Sequence, residues 1–199
     1  MRFYLSLVAF FLALPATQAF AEKLPLQEIS RYLNDLQTAK GAFTQINGDG
    51  SISTGTIYIK RPGKVRFEYN PPEAALVVAG SNTVVIYDKK SNQPAESYPL
   101  SRTPLSIILA RQVDLGAANM VTGHSFDGTA TVVTAQDPEN PDYGNIQLKF
   151  TGTPVELRQW VITDGGGTQT TIVLGEFERG QNLPNRLFDV GSPGNFESR

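Results

Sequence analysis

The 199-residue sequence predicts a mainly β, α+β fold: a long antiparallel sheet with one helix before it and a helical insertion in its middle. Three observations predict it. Apolar residues recur with a period of two from residue 42 onward, turn residues such as Pro62-Gly63 separate the runs, and only two segments show helical spacing. Because no repeat or linker interrupts the chain, a single domain over residues 22–199 is expected.

The first 21 residues have the pattern of a signal peptide. Arg2 supplies the positive charge, and the apolar run of residues 3–14 is shorter than a membrane span. Ala19 and Ala21 are the small residues that a signal peptidase reads, so cleavage is expected after Ala21. An uncleaved membrane anchor is the alternative.

The mature chain begins with a predicted amphipathic helix over residues 24–38, ended by Lys40-Gly41. Alternating patterns then predict the first half of the sheet, with strands at residues 43–47, 51–60, 64–69, 76–78, 84–88 and 95–100.

The helical insertion follows Thr103, a predicted N-cap, and Pro104, which suits a first helical turn. It is apolar on nearly all sides, so it should be buried against an apolar surface. Residues 113–120 could form a second helical piece. The second half of the sheet is predicted as strands at residues 129–135, 145–151, 155–163, 168–177 and 186–190, with a loose end over residues 191–199.

Several predicted strands carry apolar residues on both faces. Tyr58 lies opposite Ile57 and Ile59, and Trp160 is predicted to lie opposite Leu157. A sheet with one wet face would alternate more strictly. A curved sheet with helices across its concave side would leave a hydrophobic cavity, but a filled half-barrel fits the pattern equally well.

Composition excludes several classes of function. A net charge of −2 argues against nucleic acid as a partner, and the absence of Cys excludes disulfides and a lipid-accepting thiol. The only His, His124, falls in a predicted turn, so neither a zinc site, a cofactor nor catalysis is expected. Asp137, Glu139 and Asp142 could form a calcium loop, although a solvated acidic turn is favoured.

Residues 55–69, reading GTIYIKRPGKVRFEY, resemble the signature strand pair of the outer-membrane lipoprotein carrier family, LolA. The segment Phe43-Thr44-Gln45 resembles the first strand of that family, residues 81–88 resemble a later strand, and residues 103–109 resemble its lid helix. The resemblance covers essentially the whole mature chain.

The resemblance implies an incomplete, strongly curved antiparallel barrel with a helical lid over a hydrophobic cavity. It implies a periplasmic carrier that takes lipoproteins by their acyl chains from an inner-membrane, ABC-type lipoprotein-releasing transporter. Delivery would be to an outer-membrane receptor or directly to the outer membrane. A monomer is expected, because cargo rather than a subunit should fill the apolar opening.

The resemblance also implies that Arg61 is a latch that bonds carbonyl groups of the lid. The family's Phe four residues after this Arg is replaced here by Val65, which puts cargo retention by that aromatic in doubt. The predicted cavity residues are Val65, Phe67, Tyr69, Ile86 and Trp160, and the predicted lid residues are Leu105, Ile108 and Leu109.

Three other functions remain open at this stage. An exported binding module for free fatty acid or glycolipid needs the same cavity. The receptor of the same pathway is disfavoured by the missing Cys, and a hydrolase would have to use His124.

Overall fold

The computed structural model describes residues 22–73, 75–88, 90, 94–117 and 119–191. The predicted signal peptide and almost all of the predicted loose end lie outside the described residues. Two α-helices are present there, α1 (Leu26–Asp35) and α2 (Leu105–Leu109). The strands are β1 (Thr38–Ile46), β2 (Ile52–Lys60), β3 (Lys64–Tyr69), β4 (Ala75–Gly80), β5 (Thr83–Asp88), β6 (Glu96–Pro99), β7 (Val121–Phe126), β8 (Thr131–Gln136), β9 (Asn145–Thr151), β10 (Glu156–Thr163), β11 (Gln169–Leu174) and β12 (Glu178–Arg179).

The described strands form one antiparallel sheet in the order β6-β5-β4-β3-β2-β1-β11-β10-β9-β8-β7, with the short β12 paired to β1. The path ends at β6 and β7, so the sheet is not closed. Buried residues from both halves meet in one core cluster with α1 and α2, because the sheet curves around them. The predicted fold class, an incomplete curved barrel of mainly β structure, is confirmed.

The central strand β1 begins earlier than predicted. Lys40-Gly41 does not end a helix but lies inside β1, which pairs with β2 along nine residues from Thr38 to Ile46. A Cβ on Gly41 would lie 2.7 Å from the Phe177 ring, so this glycine allows close packing. Pairing with two neighbouring strands therefore outweighs the local helix-ending signal.

The outer face of β2 to β5 is covered by the C-terminal segment, residues 181–190. The predicted strand at residues 186–190 is wrong, since Asn185–Phe188 forms a 3-10 turn. Leu183 and Phe188 of this segment pack against Leu76 and Val78 of β4. The apolar residues on both sides of these strands are thus explained by two covering layers.

Side chains of the sheet hold this segment by its backbone. Lys60 Nζ donates to the Leu183 carbonyl at 2.6 Å, Arg66 Nη1 donates to that of Leu187 at 3.0 Å, and the Tyr87 hydroxyl donates to that of Val190 at 2.6 Å. The carbonyl groups of an irregular segment are satisfied without strand pairing.

Two further predictions along the chain are wrong. The described part of residues 113–120 contains turns and irregular backbone instead of a helical piece. His124 lies in β7, opposite Val133, rather than in a turn. Pattern analysis missed β7 because Thr122, Gly123 and Ser125 break its apolar alternation, as an edge strand permits.

The start of α2 also differs from expectation. Thr103 does not cap the helix, since its hydroxyl donates back to the Leu100 carbonyl at 2.8 Å, and the N-cap position is Pro104. None of the helices in the described ranges is long and apolar enough to cross a membrane.

Candidate functional site

The concave face of the sheet, α1 and α2 enclose one continuous apolar core. Of the predicted cavity residues, Val65, Phe67 and Trp160 are 1%, 6% and 0% exposed, and Tyr69 packs against the same core. Ile86 is half-buried beside Val77, which also contacts this core. The structure therefore brings the predicted residues to one face.

The face of β10 on which Leu157 lies differs from the prediction. A β-bulge between Leu157 and Gln159 shifts the register of β10 against β9. Leu157 and Trp160 consequently belong to the same core instead of opposing each other.

Four aromatic rings form the centre of this concave core. The Phe43 ring lies 5.3 Å from that of Phe67 and 5.1 Å from that of Tyr69, and Phe67 lies 6.4 Å from Trp160, all edge to face. Phe43 was not among the predicted site residues. Its place opposite Gly55, where an added Cβ would lie 2.7 Å from the Phe43 ring, depends on strand register.

The lid consists of α2 and the returning residues 110–117. The predicted lid residues Leu105, Ile108 and Leu109 are buried in the concave core, as is Ile107. Four of the five α2 side chains are thus buried, which accounts for its apolar composition.

Arg61, the predicted latch, directly follows β2, and its side chain contacts the segment after α2. Its side chain is only 7% exposed, and Nη2 donates to the Ala110 carbonyl at 2.5 Å, with a longer contact of 3.5 Å to Asn34 Oδ1. Among the described residues no carboxylate forms an ion pair with it, and its Nε and Nη1 have no partner. Burial lowers the pKa of the Arg61 guanidinium.

The turn of residues 61–63 also holds the lid through its main chain, since the Gly63 amide donates to the Leu109 carbonyl at 2.8 Å. Arg61 therefore bonds one lid carbonyl rather than several, and the Arg-Pro turn supplies a second contact through the main chain.

Helix α1 provides a second attachment of the lid that sequence reasoning missed. Asn34 pairs with both backbone groups of Val113, through Nδ2 to the carbonyl at 2.8 Å and Oδ1 to the amide at 2.9 Å. The Leu115 amide donates to Ser30 Oγ at 3.0 Å. Polar residues four positions apart beside the buried face of α1 were the signal available in the sequence.

The phenol of Tyr69 is held inside the site by a bond of 2.6 Å to Gln45 Oε1. Burial raises the pKa of Tyr69 to about 12 from its ordinary value of 10. The neutral phenol is therefore favoured in the folded state, and its contribution to stability is complete below pH 10 and lost as the pH rises toward 12.

We expect Tyr69→Phe to flatten this alkaline loss. Between pH 10 and 12 the free energy of unfolding of the wild type should fall by about 2 kcal/mol more than that of the variant. Urea unfolding at several pH values measures the difference. Parallel curves for the two proteins would contradict the assigned burial of the phenol.

The polar groups considered for other chemistry have local structural partners. His124 Nε2 lies 2.9 Å from the Leu24 carbonyl, and Asp137 Oδ1 accepts the Glu139 amide at 2.8 Å. This turn bonding lowers the pKa of Asp137. Within the described residues no group of three or more His, Cys, Asp and Glu could hold a metal ion.

A separate concavity of about 830 Å³ lies beside the N-terminal residues 22–25, the β7–β8 turn and residues 150–155. It includes Glu22, Lys23 and Glu28, and none of the predicted cavity residues. It borders the concave core at Phe150 but does not include the face that carries the predicted cavity residues.

The fold and this core define a class of protein in which a curved open sheet and a helical lid enclose an apolar interior. Residues 34–191 match the model of the outer membrane lipoprotein carrier protein LolA family. The chain belongs to this family, whose members are named as lipoprotein carriers.

Two relatives and one solved structure illustrate the similarity. The outer-membrane lipoprotein carrier protein of Azotobacter vinelandii is 25% identical over 97% of this chain and 96% of the relative. The outer-membrane lipoprotein carrier protein of Alkalilimnicola ehrlichii is 28% identical over 94% of this chain and 89% of the relative. The LolA superfamily protein NE2245 from Nitrosomonas europaea has a TM-score of 0.45 and 10% identity, covering 84% of this chain and 99% of that structure.

Proposed function

We propose that this protein is a periplasmic carrier that binds the acyl chains of lipoproteins between its concave face and its lid, and transfers lipoproteins from the inner to the outer membrane. The observation that carries the proposal is the lid itself. An apolar helix closes over an apolar concave face, and the Arg61 side chain bonds it through a single carbonyl.

The energies of closure and loading suit a reversible lid. A hydrogen bond to a charged group stabilises by about 1.5–3 kcal/mol, whereas each buried CH₂ of an acyl chain contributes about 0.8 kcal/mol. About four methylenes thus offset the loss of the Arg61–Ala110 bond. The acyl chain also replaces the apolar contacts that the lid leaves, so cargo can displace the lid without exposing the core to water.

The aromatic cluster of Phe43, Phe67, Tyr69 and Trp160 supplies the retaining surface in this proposal. Val65 occupies the position of the family's Phe but is itself buried in the core. Retention here is accordingly assigned to the neighbouring rings, above all Phe67 on the same face of β3.

The remaining parts of the cycle follow from the family and the sequence. Cleavage after Ala21 would leave Glu22 first, three residues before the helix-capping Pro25. An inner-membrane ABC-type transporter loads the monomeric carrier, and an outer-membrane receptor or the membrane itself accepts the cargo. The role is binding, without catalysis or a cofactor.

A release assay tests the proposal. Mature protein is incubated with inner-membrane vesicles that contain the native transporter and a tagged lipoprotein, and ATP is added. We expect a soluble one-to-one complex that appears only with ATP. If the folded protein releases no lipoprotein, the carrier function is refuted. Binding of free fatty acid is then the hypothesis to test.

A further inference from the structure

Trp160 lies at the middle of the concave face. In β10 it pairs with Leu148 of β9 on one side and Ile172 of β11 on the other. Its side chain is 0% exposed, and its ring meets Phe67 edge to face. A residue in this position lies on the concave face that the lid covers.

Within the described ranges of the chain, the indole N–H of Trp160 has no hydrogen-bond partner. Buried polar groups in proteins are nearly always bonded, so an unpaired N–H in an apolar core calls for an explanation. A structural tryptophan normally places this group against a carbonyl or water at the edge of the core.

The buried polar groups that lack a hydrogen-bond partner are all of one chemical type. In the part of the chain that the structure describes, the buried side-chain nitrogen and oxygen atoms without a partner are Trp160 Nε1 and Arg61 Nε and Nη1. All three are donors, and none is an acceptor. The unpaired polar groups at the core and beside the lid therefore offer donors only.

A ligand that complements such an interior has a hydrocarbon body and acceptors without donors. An acyl ester has this composition, because its carbonyl oxygen accepts hydrogen bonds and the group has no N–H or O–H. A hydrocarbon alone would leave the donors unpaired, and an alcohol would bring a further donor.

We propose that the indole N–H of Trp160 recognises the ester carbonyl oxygen of a bound acyl chain. The inference rests on the proposed carrier function and adds a polar recognition element to its cavity. Trp160 is then a specificity-determining residue that distinguishes acyl esters from alkyl chains that lack a carbonyl.

The experiment compares two synthetic lipopeptides of equal chain length, one with two ester-linked acyl chains and one with two ether-linked alkyl chains. Ether linkage removes the carbonyl acceptor and retains the hydrocarbon. We expect the wild type to bind the ester about threefold to tenfold more tightly, the effect of one net hydrogen bond.

The matched variant replaces Trp160 with benzothienylalanine, which keeps the shape of the indole and substitutes sulfur for the N–H. Because Trp160 is the only tryptophan in the chain, global incorporation changes this position alone. The variant should bind the ether as the wild type does and lose the preference for the ester. Trp160→Phe is a second variant that also removes the N–H.

The indole N–H of Trp160 also gives an NMR resonance that reports on the proposed hydrogen bond directly. With ¹⁵N-labelled tryptophan, the ester should move the indole proton resonance downfield, as hydrogen bonding does, and the ether should not. Equal affinity of the wild type for both lipopeptides, with an unmoved indole resonance, would overturn the inference and leave the carrier function standing. Binding of neither lipopeptide would refute both.

Discussion

Replacing Arg61 with leucine is expected to open the lid of the empty protein and to raise its binding of a hydrophobic dye about tenfold. The substitution removes the bond to the Ala110 carbonyl, and a charged bond of this kind stabilises by about 1.5–3 kcal/mol. A shift of this size changes the ratio of open to closed lid by a factor of ten or more.

The same substitution should lower the melting temperature much less than the loss of a bond worth about 1.5–3 kcal/mol would by itself. Arg61 is a buried cation for which the described residues supply neither an ion-pair partner nor a hydrogen-bond partner for Nε and Nη1. Removing such a charge relieves the unfavourable burial that lowers the pKa of the guanidinium. A large increase in dye binding with nearly unchanged stability distinguishes a latch from an ordinary structural residue.

The matched control is Arg102→Leu, an exposed arginine in the turn that precedes α2. It makes the same chemical change near the other end of the lid without touching the concave core. We expect no change in dye binding there. Unchanged dye binding and unchanged cargo release in Arg61→Leu would show that Arg61 is not a latch in this protein.

Asn34→Ala is the second substitution with a large expected effect, and it acts from the opposite side of the lid. It leaves the amide and carbonyl of Val113 without their partners, next to a side chain that is 3% exposed. Each unpaired buried group costs about 1–3 kcal/mol. Because both bonds are only partly buried, we expect the free energy of unfolding to fall by about 2–3 kcal/mol, the lower end of the sum for two groups.

Hydrogen exchange locates this effect. The Val113 amide should exchange much faster in Asn34→Ala, whereas the Leu115 amide retains its bond to Ser30 and should change less. Asp35→Ala, which alters the exposed next residue of α1, serves as the control and should leave both amides protected. Unaltered exchange at Val113 would mean that α1 does not anchor the returning lid segment.

Local pattern was a good guide where a strand is paired on both sides and its apolar residues alternate. The predicted strand at residues 64–69 agrees with β3 residue for residue, because Val65, Phe67 and Tyr69 face the core in alternation and turns lie at both ends. The contact of Arg61 with the segment after α2 was expected only through resemblance, since an arginine beside a turn is by itself most often solvated.

Long-range contacts account for the predictions that were wrong. Lys40-Gly41 has the local pattern of a helix end, but the pairing of β1 with β2 and β12 extends the strand through it. The bulge in β10 places Leu157 on the face opposite to the predicted one, and no local pattern indicates the bulge. Residues 186–190 were predicted as a strand, but the segment 181–190 is held instead by side chains of β2, β3 and β5.

The sequence by itself determined the mainly β class, most of the strands, the apolar lid and, through its resemblance, the family. These properties depend on periodicity, turn residues and short motifs that are readable within about fifteen positions of one another. Only the tertiary structure decided which partners close the lid and which donors stay unpaired. Asn34 lies 79 positions from Val113, Arg61 lies 49 positions from Ala110, and the isolation of the Trp160 N–H depends on every chain segment around it. A hydrogen bond requires two groups to meet in space, and the spacing of residues along the chain does not contain that information.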